Sequence, residues 1–398
     1  MRKNANRPHT LFIAPQPFYE DRGTPIAICQ ELEVLSEFGF DVDVATYPMG
    51  SDICLSGVNL VRSANPLWFR SVQVGISFKK ILLDVCLLKT VIRLARQTPY
   101  DCVHGVEEGA LMAFACKTLF GMPVIYDMHS SLPEQLRKTW GLKMGPGRWL
   151  ALRIERWMVK GADALLTSPG LSSLVMSIAR DKRTWECCFN VCDPSQQNDA
   201  LARRLGVLQR PTVVYAGNFS QYQGLELLIE SAALVHAKMP DVVFVLVGGT
   251  EFELSFIEKL VRRHRLSDII QLHPRVARHE VAGYLAIADA LVLPRPRGEN
   301  APLKIYEYMR SGKPIVATDI KAHTVLLSEK TAFLVKPEPT PLADGILLAL
   351  QDKEHARKLA LAAKSRYGSN MNKSLRDTLF EAYQWVLGSR ISTPYGTS

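Results

Sequence analysis

The chain lacks any uninterrupted apolar run that approaches the roughly 18 residues needed to span a bilayer. No secretory signal begins at Met1-Arg2-Lys3-Asn4. We therefore expect a cytoplasmic protein with reduced thiols, which would meet a membrane only peripherally, from its cytoplasmic side.

Cysteine pairs of the kind that bind zinc are also missing. All eight cysteines precede residue 193, and none forms a Cys-x-x-Cys pair. Cys187, Cys188 and Cys192 lie close together, but no histidine follows at the spacing of a zinc site. No aspartate pair for a divalent metal stands out either. We therefore predict no metal and no cofactor.

Long runs of one charge sign are absent, although 48 basic and 39 acidic residues give a formal net charge of +9. Mixed charge of this size favours anionic partners only weakly, and we expect no nucleic-acid partner. With 398 residues, of which 47% are hydrophobic, the chain can form ample core. Usual domain sizes of roughly 100–200 residues predict two or three domains.

The chain does contain a repeated alternation of short apolar runs, turns and helical patterns. Such runs are typical of buried parallel strands. The alternation restarts after residue 211, which predicts an α/β protein with two Rossmann-like, doubly wound sheets. The predicted strands are 10–14, 42–45, 123–126 and 164–166, then 212–216, 242–247, 290–293 and 314–317.

Four segments follow from this pattern. Residues 1–192 form a predicted N-terminal domain, and 211–373 a second domain. Between them, 193–210 is polar and turn-rich, which predicts a linker. The last segment, 374–398, contains a predicted helix with Phe380, Tyr383 and Trp385, and we expect this helix to pack back on the first domain.

The most informative motif is residues 297–308, in which Glu299 and Glu307 stand eight positions apart. Asn300 is predicted to cap a helix that has Pro302 in its first turn and ends at Gly312 after about three turns. Glu299 would then lie in the preceding loop and Glu307 inside the helix.

Lys304 falls in the first turn of that helix, where a cation is unfavourable unless an anion such as phosphate neutralises both it and the helix end. A solvated surface lysine is the alternative. Other segments typical of ligand sites also follow predicted strands; they contain Gly23, His129 and Gly248. Because ligands of open α/β sheets bind where strands end, two such edges across a cleft would hold a nucleotide-bearing substrate.

With these motifs, the sequence resembles the retaining glycosyltransferases of family 4, which have the two-Rossmann GT-B fold. The resemblance runs nearly end to end. Its most specific part is the Glu-x7-Glu motif from Glu299 to Glu307, followed by residues 312–318. It implies transfer from a nucleotide diphosphate sugar to a glycan or lipid-linked acceptor, with retention and without metal, in glycolipid, lipopolysaccharide or exopolysaccharide assembly.

The resemblance also implies roles for single residues. Glu307 would bind the ribose hydroxyls of the donor, and Glu299 would contact hydroxyls of its sugar, since charge-assisted bonds are about twice as strong as neutral ones. His129 would contact the donor sugar and phosphate. The predicted catalytic residues are His129, Glu299 and Lys304, and the predicted donor-binding residues are Gly23, Asn218, Arg297, Asn300, Pro302, Leu303 and Glu307.

One loop departs from the family pattern. Many members carry an arginine and a lysine after the first strand of the second domain, where this chain has Asn218 and Gln223. Neutral amides supply no charge, so the donor phosphates would need Lys304, Arg295 or Arg297, with Lys304 favoured. Two alternatives stay open: a catalytically silent GT-B partner subunit, and a sugar-nucleotide epimerase, for which no acid/base set is evident.

A basic stripe suggests a further partner. Lys89, Arg93 and Arg96 share one side of the helical pattern over residues 79–97, and this stripe could rest on anionic lipid. Residues 66–70 add aromatic side chains of the interfacial type. An ordinary core helix with a charged solvent face is the alternative, because Asp84 would interrupt a membrane-facing surface.

Overall fold

The computed structural model describes residues 7–20, 23–69, 72, 77–133, 146–168, 171–187, 199–298, 301–370 and 375–388. The chain divides into two compact units. The first unit contains Met1–Phe189 and Lys373–Ser398, and the second contains Asn190–Asn372. Each unit has one parallel sheet, of seven and six strands respectively, so the predicted α/β class with two doubly wound sheets is confirmed.

The sheet of the first unit has the strand order β3-β2-β1-β4-β5-β6-β7. Its central strands are buried along their whole length, as expected for apolar runs covered on both faces. The strands are β1 (His9–Ala14), β2 (Asp41–Thr46), β3 (Val58–Arg62), β4 (Cys102–Val106), β5 (Val124–Met128), β6 (Ala164–Thr167) and β7 (Thr184–Glu186).

The helices of the first unit cover both faces of this sheet. They are α1 (Gly23–Glu37), α2 (Phe78–Gln97), α3 (Gly109–Phe120), α4 (Pro146–Gly161), α5 (Ser172–Ile178) and α14 (Leu375–Leu387). Helix α1 connects β1 to a neighbour on one side, whereas α3 and α4 connect strands in the opposite direction. Since parallel crossovers are right-handed, α1 lies on one face and α3 and α4 on the other. Helix α14 contacts α1.

The sheet of the second unit has the order β10-β9-β8-β11-β12-β13. Its strands are β8 (Thr212–Ala216), β9 (Val243–Gly249), β10 (Ile270–Pro274), β11 (Ala290–Leu293), β12 (Ile315–Thr318) and β13 (Phe333–Val335). The helices are α6 (Asp199–Arg204), α7 (Leu225–Lys238), α8 (Glu251–Arg263), α9 (Arg278–Ala286), α10 (Lys304–Ser311), α11 (Lys321–Thr324), α12 (Pro339–Gln351) and α13 (Lys353–Asn370).

The strand order of each sheet reverses direction once, between β1 and β4 in the first unit and between β8 and β11 in the second. Such reversal points open a crevice at the carboxyl ends of the two strands, where open α/β sheets bind ligands. They therefore mark where a site is expected in each unit.

Two local predictions need correction or comment. Helix α10 begins at Lys304 with Leu303 in the N-cap position, so the predicted cap at Asn300 and first-turn place of Pro302 are wrong, and the helix has about two turns rather than three. Its predicted end is confirmed, because Gly312 adopts a φ of 67° there. Within the predicted linker, residues 199–204 form α6, and 193–198 lie outside the described residues. The predicted domain limits stay predictions.

None of the helices in the described part of the chain is both long and apolar enough to cross a bilayer.

Candidate active site

The reversal point of the second sheet brings together the loop after β8, the loop after β11 and the start of α10. Lys304, the first residue of α10, extends its ammonium to the β8 loop. Its Nζ donates to the hydroxyl oxygen of Tyr215 at 2.8 Å and lies 3.4 Å from Oε1 of Gln223. A Cβ at Gly217, whose φ is +146°, would collide with this Nζ, so glycine is required for the approach.

Gln223 joins the two loops through its side-chain amide. Its Oε1 accepts from Nη2 of Arg295 at 3.4 Å as well as from Lys304, and its Nε2 donates to Oδ1 of Asn218 at 3.2 Å. Arg295 also lies over the ring of Tyr222, with 5.2 Å between the guanidinium carbon and the ring centroid. Of the two amides that replace the expected cations, Gln223 therefore holds two other cations beside the same loop, and Asn218 positions the Gln223 amide.

The charge of Lys304 is poorly compensated in this setting. Burial lowers the pKa of its ammonium well below the usual range, and the nearby Arg295 lowers it further, while Glu307 opposes the shift. The hydrogen bonds described for Lys304 go to neutral oxygens. An anion bound here would restore the preference for the charged form.

The remaining predicted residues of this region lie around α10. Glu307 is half-buried one turn into the helix, and Arg297 is exposed. Pro302 and Leu303 form the turn that enters α10, because their carbonyls accept from the backbone N–H groups of Ile305 and Tyr306. The predicted residues Glu299 and Asn300 lie outside the described residues.

His323, a residue that the sequence did not suggest, is fully buried in α11 next to this region. Its Nδ1 lies 2.9 Å from the carbonyl oxygen of Thr318, so Nδ1 carries the proton and donates. Burial lowers the pKa of His323 to about 4, assisted by the charges of Arg295 and Lys304. A neutral histidine here adds no third positive charge at neutral pH.

In the first unit, the predicted residue His129 directly follows β5. Its Nε2 lies 2.7 Å from Oδ2 of Asp127, and its Nδ1 lies 3.3 Å from Oγ of Ser168. Burial disfavours both charged forms, but the Asp127 charge outweighs it and raises the pKa of His129 to about 9. In return, His129 and His104 lower the pKa of Asp127. The two residues therefore form a buried ion pair.

Two further buried groups stand beside this pair. Nε2 of His104 lies 3.9 Å from Oε2 of Glu31 and 3.9 Å from Oδ2 of Asp127, and its Nδ1 lies 2.9 Å from the Tyr383 hydroxyl on α14. Burial and the Asp127 charge raise the pKa of Glu31 well above its usual value. Burial lowers the pKa of His104. Both shifts favour the neutral forms of Glu31 and His104.

Glu31, His104 and Asp127 are the group with metal-ligand spacing in the described part of the chain. Tetrahedral zinc, with bonds of about 2.1 Å, would hold its ligands about 3.4 Å apart, which is closer than the 3.9 Å seen here. Nε2 of His104 is beyond hydrogen-bond range of either carboxylate, so the three side chains form a cluster of buried polar groups that interact electrostatically.

Gly23, predicted to allow close approach of a ligand, is the first residue of α1. A Cβ placed on it would meet no atom within 4 Å. The fold itself therefore does not demand glycine at this position.

The sequence missed several contacts at these two sites, and only some had a signal. Asp127 stands two residues before His129 at a strand end, a pattern that could have indicated the pair. Tyr215 looked like an ordinary core residue of β8, and nothing marked His104 or Tyr383 as neighbours, because 279 residues separate them in the chain.

Two sequence families match the chain, one in each half. The family described as Glycosyl transferase 4-like domain matches residues 23–169, and Glycosyl transferases group 1 matches residues 198–366. The alpha-D-kanosaminyltransferase of Streptomyces kanamyceticus is 28% identical over 276 residues, which are 64% of this chain and 68% of that protein.

Solved structures share the fold. A sucrose-phosphate synthase from Thermosynechococcus elongatus has a TM-score of 0.77 and 20% identity, covering 95% of this chain and 98% of that one. HepE of Anabaena, in complex with UDP, has a TM-score of 0.68 and 17% identity over the same shares.

Two parallel sheets and two consecutive family matches define a glycosyltransferase of the GT-B class. The chain belongs to the group 1, family 4 glycosyltransferases, and it transfers a sugar from a nucleotide sugar. The resemblance drawn from the Glu-x7-Glu motif is thereby confirmed.

Proposed function

We propose that the second unit binds a nucleoside diphosphate sugar, with Lys304 and Arg295 holding the diphosphate. The observation that carries this proposal is the setting of the Lys304 ammonium, which is buried beside Arg295 and bonded to the neutral oxygens of Tyr215 and Gln223. A diphosphate would supply the missing negative charge. Gly217 keeps the β8 loop close to this ammonium.

Other residues complete the proposed donor site. Glu307, half-buried on α10, accepts hydrogen bonds from the two ribose hydroxyls, and Glu299 binds hydroxyls of the sugar. Pro302 and Leu303 shape the turn that leads into α10, and Asn300 is a further contact to the donor. Arg297 is the weaker candidate for a phosphate contact, because it is exposed. The backbone at Asn218 closes the site from the β8 loop, where its carbonyl accepts from the Tyr215 hydroxyl at 2.8 Å.

The chemistry follows from this charge arrangement. The bond between the anomeric carbon and the phosphate oxygen breaks, and a bond to the acceptor oxygen forms on the same face of the sugar. The acceptor proton passes to the departing phosphate oxygen, so nucleoside diphosphate and a retained glycoside result. Lys304, Arg295 and the N-terminus of α10 stabilise the charge that develops on the leaving group, and no metal is required.

His129 is the proposed contribution of the first unit. Its pairing with Asp127 keeps the imidazole protonated, and Nε2 is committed to that carboxylate. The remaining Nδ1–H, which now faces Ser168, can donate to the donor sugar or phosphate. Gly23 leaves open space at the start of α1 for the substrate.

Two tests address donor and mechanism. Thermal unfolding with UDP, GDP and ADP should show stabilisation by one of them, reaching about 2.7 kcal/mol at a hundred times its dissociation constant. UDP is the first choice, because HepE was solved with it. No shift with any of the three would refute the diphosphate site.

The transfer itself is followed by the release of nucleoside diphosphate from a panel of sugar donors, and NMR of the product reads its anomeric configuration. Retention and unchanged turnover in chelator are expected. An inverted product, or activity lost to chelator and restored by magnesium, would refute the proposed mechanism.

A further inference from the structure

Helices α2, α3 and α4 lie side by side on one face of the first sheet. Helix α3 contacts both α2 and α4, and the three contribute to one core cluster through residues such as Leu87, Phe114 and Met158. Their outer sides form one surface, which is called the α2–α4 layer below. This surface includes the basic stripe noted in the sequence, together with the outer side of α4, which the sequence did not single out.

The exposed charges of the α2–α4 layer are all positive. Eight basic side chains of these three helices are exposed: Lys79, Lys89, Arg93 and Arg96 on α2, and Arg148, Arg153, Arg156 and Lys160 on α4. Helix α3 contains no acidic residue, and the acids of the other two helices point inward. The Tyr47 hydroxyl donates to Asp84 at 2.5 Å, and Glu155, 1% exposed, accepts from the backbone N–H of Leu132.

This inward position of Asp84 corrects the sequence-based argument against a membrane-facing α2. Asp84 was expected to interrupt the outer surface, yet it faces Tyr47 beneath the helix. Two apolar residues near it in the helix, Ile81 and Val85, are exposed instead, at 50% and 46%. Asp84 therefore does not interrupt the outer surface of α2, on which Lys89, Arg93 and Arg96 are exposed.

Large apolar side chains stand among the exposed cations. Phe78 at the start of α2 is 78% exposed, and on α4 the figures are 58% for Trp149 and 53% for Trp157. The guanidinium of Arg153 lies over the Trp149 ring, 4.7 Å from its centroid. Tryptophan alternating with basic residues on one side of a helix is the composition that binds at a lipid headgroup boundary.

The other face of the sheet has no such bias. On α1 and α14, Glu33 is exposed, and Arg376 forms an ion pair with Glu37. The positive surface is thus confined to one side of the first unit rather than spread by the overall excess of basic residues.

We propose that the α2–α4 layer docks on an anionic lipid bilayer, with α4 as its second contact beside α2. The exposed cations attract the anionic headgroups, while Trp149, Trp157 and Phe78 insert at the headgroup level. This docking goes beyond the proposed glycosyl transfer and needs neither donor nor acceptor.

Vesicle flotation with the full chain tests the proposal. The vesicles are phosphatidylcholine with and without phosphatidylglycerol, at low and high salt. Three variants each remove three positive charges: Lys89, Arg93 and Arg96 to Ser on α2; Arg148, Arg153 and Arg156 to Ser on α4; and Lys353, Arg357 and Lys358 to Ser on α13. The α13 set is exposed in the second unit and serves as the matched control.

The α2 and α4 variants should each lose at least about tenfold in binding to anionic vesicles at low salt, since each cation near such a surface adds to the attraction. The α13 variant should float like the parent. Trp149→Ser with Trp157→Ser should lower the binding that survives high salt, because that part is apolar.

Several results would overturn the proposal. They are a parent chain that stays unbound, an α4 variant that floats like the parent, and an equal loss in all three charge variants, which would indicate net charge alone. The proposal would also be refuted if the parent chain formed dimers through this face and did not bind vesicles. Thermal midpoints of the variants, expected to match the parent, ensure that lost flotation is not lost folding.

Discussion

In the first unit, the buried imidazole of His129 faces the carboxylate of Asp127 at 2.7 Å, whereas in the second unit the buried ammonium of Lys304 reaches the neutral oxygens of Tyr215 and Gln223. The pKa of His129 is raised to about 9, and that of Lys304 is lowered. A charge that already has its counter-ion stabilises the fold. A charge that lacks one destabilises the free protein, and we propose that an anionic ligand offsets this cost at Lys304.

The largest expected effect is on the first unit. Asp127→Asn should destabilise the chain by about 3–5 kcal/mol, because breaking a buried pair leaves His129 without its counter-ion. Urea unfolding at pH 7 measures the loss. Asp52→Asn is the control, since Asp52 is 86% exposed in its pair with Arg62 and should contribute at most about 1 kcal/mol. A loss of similar size in both variants would contradict the assignment.

The His129–Asp127 pair also determines the pH range in which it stabilises the fold. A histidine with a raised pKa stabilises fully below its usual value near 6.5, and this stabilisation is lost as pH rises through about 9. Asp127 has a lowered pKa, so the stabilisation that its carboxylate contributes is lost on the acid side, as pH falls through that pKa. In Asp127→Asn the alkaline loss should vanish.

The second prediction concerns the donor. Glu307→Ala should weaken binding of the nucleotide sugar by about 1.5–3 kcal/mol, the range for hydrogen bonds to a charged group. Calorimetric titration with the cognate donor measures it. Glu329→Ala, an exposed change in the same unit, should leave affinity unchanged. Parent-like affinity in a folded Glu307→Ala would remove the ribose role.

Lys304→Met should lower activity without lowering stability, in contrast to Asp127→Asn in the first unit. It should lower kcat/KM by at least about tenfold, equal to about 1.4 kcal/mol of transition-state stabilisation. Unlike Asp127→Asn, it should not lower the thermal midpoint, because an uncompensated buried ammonium is removed. Lys330→Met, at an exposed position, is the control. Near-parent activity in Lys304→Met would contradict the phosphate role of Lys304 and leave Arg295 and Arg297 as the candidates.

The smallest effect is expected at Glu31. Its raised pKa means that the folded state prefers the neutral acid. The destabilisation of the fold by Glu31 is therefore absent below the usual pKa and grows as pH rises. Glu31→Gln should therefore stabilise the fold more at pH 8 than at pH 5. The titratable groups that face Glu31 are His104, Asp127 and His129. Thermal midpoints at both pH values, with exposed Glu33→Gln as control, decide it. A destabilised Glu31→Gln at pH 8 would show that Glu31 is ionised.

Sequence patterns alone were enough to predict the fold class and the family. Apolar runs such as 212–216 and 314–317 became strands, because a strand covered on both faces must be apolar throughout. The Glu-x7-Glu motif identified the glycosyltransferase family, since its pattern is local in the chain. The start of α10 was misplaced by a few residues, because Asn300 and Pro302 look like start signals wherever they occur.

The contacts between distant side chains could not be predicted from the sequence, because they depend on the folded arrangement of the strands and helices. Tyr215 and Gln223 reach Lys304 across more than 80 residues, and Tyr383 returns to His104 from the far end of the chain. The direction of a side chain was equally unpredictable from the sequence. Asp84 points inward, because the Tyr47 hydroxyl beneath α2 donates a hydrogen bond to it. Hydrophobic periodicity records which positions are buried, whereas the partner of a buried charge depends on how distant strands and helices are placed.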